Sequence, residues 1–362
     1  MNPAKRSALC LLAIALLAPA FAAAHAETCT TQSDLAPAER DHIANAARGL
    51  ATSVQSNDAA ALRTRSVAEL AKDFGGLQYL VGVTAPKLAG GVPAVEQVYL
   101  LDATNLKRNA DGSAPDAQFF CSLNHSTMEA EFDIPALPPG KYAFAMVTIA
   151  PPQGATVPAP WRLSFLMREE SVPQPPAGQS QPGQSQPTWL LAGLYPKPMT
   201  AAGHDGLWYW TQARQMARDK QAWNAWLFFQ EARKLLQPAD FVLSTHLDKL
   251  RSEVTDAAPP ALSEGISADA PLVVKGADGT EYHFIGLGVD DSDSPSSLDL
   301  AVQLRVEPLA DPAAARQRNA AAARALLAAY PELRKPFHGV QVSAEAVGQV
   351  PFSTEQPMAD IQ

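Results

Sequence analysis

The 362-residue sequence lacks the short motifs that usually carry catalysis. It has only three cysteines and contains no Cys-x-x-Cys, no His-Glu-x-x-His and no glycine-rich phosphate loop. A Gly-x-Ser-x-Gly elbow is also missing, because residues 178–183 only approach that pattern and lie in a low-complexity repeat. We therefore expect no metal, no cofactor and no catalytic residue that a motif would identify.

Positive charge is scarce as well. The chain has 28 Lys and Arg against 37 Asp and Glu, a net charge of −9, and loss of Lys5 and Arg6 with an export segment would take it to −11. No basic cluster interrupts this acidity. These features argue against a nucleic-acid partner and against adhesion to an anionic membrane surface.

Long apolar runs are confined to the start of the chain. Lys5 and Arg6 precede an apolar stretch at residues 9–23, and small residues at Ala24 and Ala26 are typical of a signal-peptidase site. We predict a signal peptide at residues 1–26, cleaved after Ala26, and a periplasmic or secreted protein without stable membrane insertion. The alternative is an N-terminal anchor, for which the stretch is short.

Two cysteines, Cys29 and Cys121, remain after cleavage. Outside the cytoplasm two cysteines most often pair, so we predict a Cys29–Cys121 disulfide. In the chain-entropy model a loop of about 90 residues is worth about 4–5 kcal/mol. The alternative, a reactive thiol, needs an electropositive setting, whereas Phe119 and Phe120 beside Cys121 indicate an apolar one.

Composition divides the mature chain into four parts of an α+β protein. They are an α+β domain at 27–198 with a low-complexity loop at 173–187, a helical hairpin at 199–254, a linker at 255–270, and a small α+β domain at 271–362. The loop is either an interdomain linker or, as we prefer, an enlarged hairpin connection, because residues 189–195 look like a strand partner for residues 161–168.

Periodicity predicts the elements of the two α+β parts. In the first, helices at 34–72 end before a turn at Gly75-Gly76, and about six strands then form one antiparallel sheet; the strands are predicted at residues 95–103, 117–123, 127–134, 141–150, 161–168 and 188–196. In the last domain, three strands precede a helix and two strands follow it. The strands are predicted at residues 272–275, 280–288, 298–307, 337–346 and 350–357, and the helix, capped by Asp311, is predicted at 312–329.

Aromatic residues make up only 7% of the chain, yet four of its six tryptophans lie in the helical hairpin. The aromatic residues there are Trp208, Tyr209, Trp210, Trp223, Trp226, Phe228 and Phe229. They either fill a core or form a groove for a peptide or protein. Trp208 and Trp210, two residues apart, cannot both face the same side of a helix.

Two local resemblances follow from these patterns. Three features occur together over about residues 30–198: helices that carry residues 56–62 (Ser-Asn-Asp-Ala-Ala-Ala-Leu), the antiparallel sheet, and a terminal strand at 189–195 (Trp-Leu-Leu-Ala-Gly-Leu-Tyr). This combination resembles the nuclear transport factor 2-like superfamily. An immunoglobulin-like or transthyretin-like sandwich is the rival, since residues 134–142 resemble the segment before a strand in those domains. In the hairpin, Ala225, Phe229, Ala232 and a following proline resemble one tetratricopeptide unit.

These resemblances imply binding. The superfamily's cone would hold a ligand at its mouth, with Tyr79, Tyr99, Phe120 and Tyr142 as candidates, and no catalytic role transfers residue by residue. A single tetratricopeptide-like hairpin must dock on the preceding sheet, on the following domain or on another chain. The whole chain also resembles a family of exported bacterial proteins of uncharacterised function, which implies a compartment but no chemistry.

Two acidic motifs have plain interpretations. Residues 290–294 alternate acids and hydroxyls, but they lack the glycine and distal glutamate of a calcium loop and suit a hairpin turn. His204-Asp205 would be an acid–base pair, but Asp205 is better explained as a helix cap. The remaining histidines are scattered and predict no joint site.

The leading hypothesis is therefore an exported, non-catalytic binding or scaffold protein that engages a protein or peptide partner. Its candidate binding residues are Trp208, Trp210, Trp226, Tyr79, Tyr99 and Tyr142. The alternative is an envelope enzyme, a hydrolase or isomerase, with a cone-type pocket; a purely structural role is a third possibility. The sequence leaves the oligomeric state open.

Overall fold

The computed structural model describes residues 27–123, 127–152, 154, 159–171, 187–291, 296–308 and 311–361. The predicted export segment, nearly all of the low-complexity loop and part of the acidic turn lie outside the described residues. Helices and mainly antiparallel sheets give the α+β class that the sequence predicts. No helix in the described part of the chain has the length and apolar character needed to cross a membrane.

The first domain opens with a short strand and four helices. They are β1 (Thr28–Thr31), α1 (Pro37–Gln55), α2 (Ala59–Thr64), α3 (Ala68–Lys72) and α4 (Gly75–Thr84), followed by a 3-10 turn at Ala85–Leu88. The turn predicted at Gly75-Gly76 is wrong, because α4 begins there. Leu77 and Val81, four residues apart, are buried on one face of the helix, and this burial outweighs the low helix propensity of glycine.

Six strands follow, close to their predicted bounds. They are β2 (Val92–Asp102), β3 (Ala117–Leu123), β4 (Thr127–Ile134), β5 (Lys141–Ala150), β6 (Trp161–Ser171) and β7 (Pro187–Pro198). They do not form the single sheet that the sequence suggested. A five-stranded sheet has the order β1-β2-β5-β6-β7, whereas β3 and β4 leave it as a separate hairpin. Ser171 pairs directly with Pro187, so the low-complexity segment connects a hairpin, as preferred.

The five-stranded sheet is covered on both faces. On one face, Ile43, Leu50 and Val54 of α1 pack on alternate strand residues such as Ala145 and Phe165. On the other, Phe132 of β4 contacts Tyr99 and Phe144 edge to face, with ring centroids 5.2 Å apart in both pairs. Period-two alternation in the strands supplies both apolar faces, so the large sheet lies between a helical layer and a small sheet.

The disulfide joins these two sheets. The sulfurs of Cys29 in β1 and Cys121 in β3 lie at bonding distance, with Cα atoms 5.0 Å apart and a sequence separation of 92. This is the predicted pair. Cys121 is fully buried among apolar side chains, which fits a structural sulfur and not a reactive thiol.

The helical part begins with a small hairpin of two strands, each two residues long, β8 (Thr200–Ala201) and β9 (His204–Asp205). The elements that follow are α5 (Gly206–Arg218), α6 (Ala222–Leu236), β10 (Val242–Leu243) and α7 (Thr245–Asp256). Gly206 permits the close approach of α5 to α6, because a Cβ there would lie 2.5 Å from Cγ of Leu236. β10 adds to the edge of β4 and completes a three-stranded sheet in the order β10-β4-β3.

The last part is a five-stranded sheet with one crossover helix. Its elements are β11 (Leu272–Lys275), β12 (Glu281–Asp290), β13 (Asp299–Arg305), α8 (Pro312–Ala329), β14 (Gly339–Glu345) and β15 (Phe352–Pro357). The strands keep sequence order, and α8 connects the one parallel pair, β13 and β14. Asp311 accepts a hydrogen bond from the Ala313 N–H and is the predicted cap.

The helical hairpin docks mainly on this last domain. Residues of α5 and α6 share one continuous core with β11 to β14 and α8. All residues from Trp223 to Phe229 are buried, so α6 has no solvent face over two turns. Residues 255–270, predicted as a linker, also pack on this core through the buried Leu262.

Candidate functional site

A groove of about 410 Å³ lies where the first domain meets the helical part. Its floor comes from β2, β4 and β5, and its walls come from α5, the end of α6, β10 and the start of α7. No single domain contains it. The groove exists because β10 pairs with β4 and so fixes the helices next to the sheet.

The groove is mainly apolar. Its large apolar lining residues include Met146, Leu207, Trp210, Leu236, Val242 and Leu243. Leu207, in the first turn of α5, leaves 60% of its surface exposed and is the most accessible of the large apolar side chains there. Concave apolar surfaces with few polar groups are typical of ligand and peptide sites.

Two polar side chains, Tyr99 in the groove and Gln97 beside it, meet at Glu129. Ser244 and His246 also line the groove, and Ser244 accepts a hydrogen bond from the Leu247 N–H. Oε1 of Glu129 accepts hydrogen bonds from the Tyr99 hydroxyl at 2.7 Å and from Nε2 of Gln97 at 2.8 Å. Strict alternation along β4 would place Glu129 with Glu131 and Asp133, which instead bind Gln118 at the outer surface. A bulge next to Ala130 shifts the register, and a bulge can redirect a side chain in this way.

Tyr99 is held as a hydrogen-bond donor. Burial is the main cause that raises the pKa of its hydroxyl well above the ordinary value, and the hydrogen bond to the Glu129 carboxylate raises it further. The ring is fixed by its edge-to-face contact with Phe132. The tyrosine therefore stays protonated at neutral pH and holds the carboxylate in one orientation.

Trp210 forms the opposite wall and is fixed from behind. Its indole N–H donates to Oε2 of Glu253, Arg214 donates to both oxygens of that carboxylate, and the Arg214 guanidinium lies 4.5 Å from the Trp210 ring centroid. Arg214 also lowers the pKa of the Glu253 carboxyl, mainly by hydrogen bonding. This arrangement makes the tryptophan a rigid wall.

The structure brings together two of the six candidate binding residues, Tyr99 and Trp210. Tyr79 on α4 is 73% exposed and does not line the groove. Tyr142 is buried and donates its hydroxyl to the Pro138 carbonyl, while Trp226 is buried in the core beside Trp223. Phe120, which the superfamily resemblance suggested together with Tyr79, Tyr99 and Tyr142, is exposed and lies outside the groove.

Trp208 lies at a different place. It stacks on the imidazole of His204 with ring centroids 3.8 Å apart, beside a hollow of about 370 Å³ between α5 and the last domain. Trp208 and Trp210 thus point to different neighbours, as their spacing requires. The hairpin aromatics serve both as core and as groove lining.

Two polar features have structural explanations. Asp205 accepts a hydrogen bond from the Trp208 N–H and caps α5, which is the role the sequence favoured over acid–base chemistry. Asp291 accepts a hydrogen bond from the Ala202 N–H. Within the described ranges no three His, Cys, Asp or Glu side chains are grouped to hold a metal ion.

A larger hollow of about 590 Å³ at the start of β12 and the end of β13 carries charges of both signs. Its arginines already have partners, because Arg305 donates to the Ala268 carbonyl and Arg318 donates to Asn319 and to the Glu307 carbonyl. The interdomain groove, with an oriented carboxylate among apolar walls, is the stronger candidate.

Comparison with protein-family models, with curated proteins and with solved structures found no match to this chain. The site therefore has to be interpreted from its own geometry. Sequence reasoning missed Glu129, Leu207, Leu236 and Val242 as site residues. No local signal identifies them, because the groove depends on the pairing of β10 with β4, which are more than a hundred residues apart in sequence.

Proposed function

We propose that this chain is an exported, non-catalytic binding protein that holds a peptide segment of a partner protein in the interdomain groove. The observation that carries the proposal is the joint placement of Tyr99 and Trp210 in one apolar groove with a rigid wall. Tyrosine and tryptophan anchor interfaces because they bring large apolar area and one polar group each.

The dimensions of the groove support a side-chain-sized occupant. A volume of about 410 Å³ accommodates a few apolar side chains of one peptide, and the walls come from packed elements on both sides. A site that exists before binding lowers the ordering cost of association. The export prediction supports a partner in the cell envelope or outside the cell.

The test is a selection of peptides on the mature protein. A random phage-displayed peptide library is selected on immobilised protein, and the enriched peptides are titrated by tryptophan fluorescence. We expect Leu207→Ser to weaken binding about tenfold, because it removes the accessible apolar wall. The matched control is Val83→Ser, an apolar residue of α4 that is 43% exposed and outside the groove.

Both variants change partly exposed side chains, so both should fold as the wild type does. Failure to enrich any peptide above an unrelated immobilised protein would contradict the proposal. Equal affinities of Leu207→Ser and Val83→Ser for the enriched peptides would place binding elsewhere on the molecule and would also contradict it.

A further inference from the structure

Glu129 is the one Asp, Glu, Lys or Arg side chain among the described residues that line the groove, which also include one histidine, His246. Apolar walls surround Glu129, and within the described part of the chain no lysine or arginine forms an ion pair with it. A carboxylate in such a setting favours a cation in its ligand, because an apolar surrounding weakens the screening of the interaction.

The two carboxylate oxygens are not equivalent. Oε1 already accepts two hydrogen bonds, from Tyr99 and Gln97, which use both of its lone pairs. Oε2 accepts none from the described residues. A ligand therefore meets an oxygen that the described residues leave without a donor, and the two donors on the other oxygen fix its direction.

This asymmetry distinguishes between the two basic side chains. Arginine binds a carboxylate best through two parallel N–H···O bonds, one to each oxygen, and here one oxygen is saturated. Lysine is a compact charge that donates well to a single oxygen. The geometry consequently favours lysine.

We propose that Glu129 is the specificity-determining residue of the groove and binds a lysine of the partner peptide through Oε2, while neighbouring apolar side chains of that peptide contact Leu207 and Trp210. The inference rests on the proposed function and adds the chemical class of the ligand. The net charge of the full chain is −9, and loss of Lys5 and Arg6 with the export segment makes it more negative, which assists the approach of a basic segment.

The experiment repeats the random-peptide selection on wild type, on Glu129→Gln and on the matched control Glu131→Gln. Glu131 lies on the same strand, but its carboxylate binds Gln118 away from the groove. We expect a lysine at a fixed distance from apolar residues in peptides from wild type and from Glu131→Gln. Peptides from Glu129→Gln should keep the apolar residues and lose the lysine.

Affinities give the second measurement. For the best lysine peptide, Glu129→Gln should weaken binding about tenfold, while replacement of the peptide lysine by neutral norleucine should give a similar loss on wild type and almost none on Glu129→Gln. Arginine at that position should bind several-fold more weakly than lysine. Tyr99→Phe frees a lone pair on Oε1, so it should reduce this preference for lysine over arginine.

The outcomes separate this inference from the proposed function. Two outcomes would overturn the role of Glu129 and leave the groove as a peptide site. One is the enrichment of apolar peptides without a basic residue on wild type, and the other is lysine enrichment that persists on Glu129→Gln. Absence of any enriched peptide on wild type would overturn both. If Glu129→Gln does not fold, two measurements still test the role of Glu129. They are the norleucine comparison on wild type and the preference of Tyr99→Phe for lysine over arginine peptides.

Discussion

Trp210 donates its indole N–H to Glu253 over 2.7 Å, and this bond ties α7 to α5 at the back of the groove. Arg214 binds the same carboxylate with two hydrogen bonds of 2.7 Å. Only Leu250 of α7 is fully buried, so this polar cluster contributes much of what holds the helix in place. The Glu253 carboxylate thus connects Trp210 and Arg214 of α5 to α7 behind the groove wall.

The first prediction concerns the pH dependence of this cluster. Because the folded-state pKa of Glu253 is lowered, its contribution to the free energy of unfolding is present above the unfolded pKa and is lost as pH falls through the folded pKa. Glu253→Gln should be less stable than wild type by about 1 kcal/mol at pH 7, since the pair is partly exposed to solvent.

Urea unfolding of both proteins between acidic and neutral pH measures this difference. We expect it to shrink below about pH 4, the ordinary range of a glutamate. Glu281→Gln, whose ion pair with Lys275 is exposed on both sides, is the control and should change stability little. A difference between wild type and Glu253→Gln that stays constant with pH would show that the charge is not involved.

The second prediction concerns Glu231, where removal of the charge should raise the free energy of unfolding, whereas removal of the Glu253 charge should lower it. Glu231 in α6 is buried, and burial raises the pKa of its carboxyl, with Lys234 as its ion-pair partner. A carboxyl with a raised folded pKa lowers the free energy of unfolding as pH rises above the unfolded value. Glu231→Gln should therefore be more stable than wild type at pH 8, and the gain should vanish below about pH 4. Thermal unfolding at both pH values measures this, and a gain at pH 4 equal to that at pH 8 would contradict it.

The third prediction concerns the disulfide. Replacement of both Cys29 and Cys121 by serine should lower the free energy of unfolding by about 2–5 kcal/mol, because the link between β1 and β3 constrains the unfolded chain. Reductant should destabilise wild type and leave the double variant unchanged. Mass spectrometry of the protein without reductant should show a mass two hydrogen atoms lower than that of the thiol form, and the export hypothesis predicts a chain that begins at Glu27; two free thiols would contradict the bond.

The fourth prediction concerns the start of α6. The Trp223 N–H donates to Oε1 of Glu332 at 3.0 Å, and Nδ2 of Asn224 donates to the Glu332 carbonyl at 2.8 Å. Glu332, from the 3-10 turn Pro331–Arg334, thus caps a helix far away in sequence. Glu332→Ala should cost about 1–2 kcal/mol in urea unfolding, whereas Glu332→Gln, which keeps an oxygen acceptor, should cost less. Equal losses in the two variants would argue against a capping role.

The sequence predicted the elements better than their assembly. The strand bounds at 117–123 and 127–134 and the helix at 312–329 agree with β3, β4 and α8, because alternation and caps are local signals. The separation of β3 and β4 from the large sheet could not be predicted, since both sheets need the same alternating pattern. Helix α4 was missed because Gly75-Gly76 resembles a turn in isolation.

The candidate site shows the same limit. Aromatic concentration identified Trp210, and the superfamily resemblance suggested Tyr99, but neither pattern indicates that they share a groove. Their meeting depends on β10, which has only two residues and pairs with β4 across the chain. Glu129 gave no signal, because its orientation comes from a bulge that depends on β3.

The first two turns of α6 are enclosed on every side, in one core with the C-terminal sheet. Fragments that begin after α6 would expose the apolar core of the C-terminal sheet, and fragments that end between α6 and that sheet would expose Trp223 and Phe228 to water. Substitutions in this helix should consequently alter the packing of both the groove and the C-terminal sheet. A cut near residue 198 would in turn remove β10 from the edge of β4 and take the buried Ala239 and Val242 from the core of the first domain, so no single cut separates the two halves of the chain cleanly.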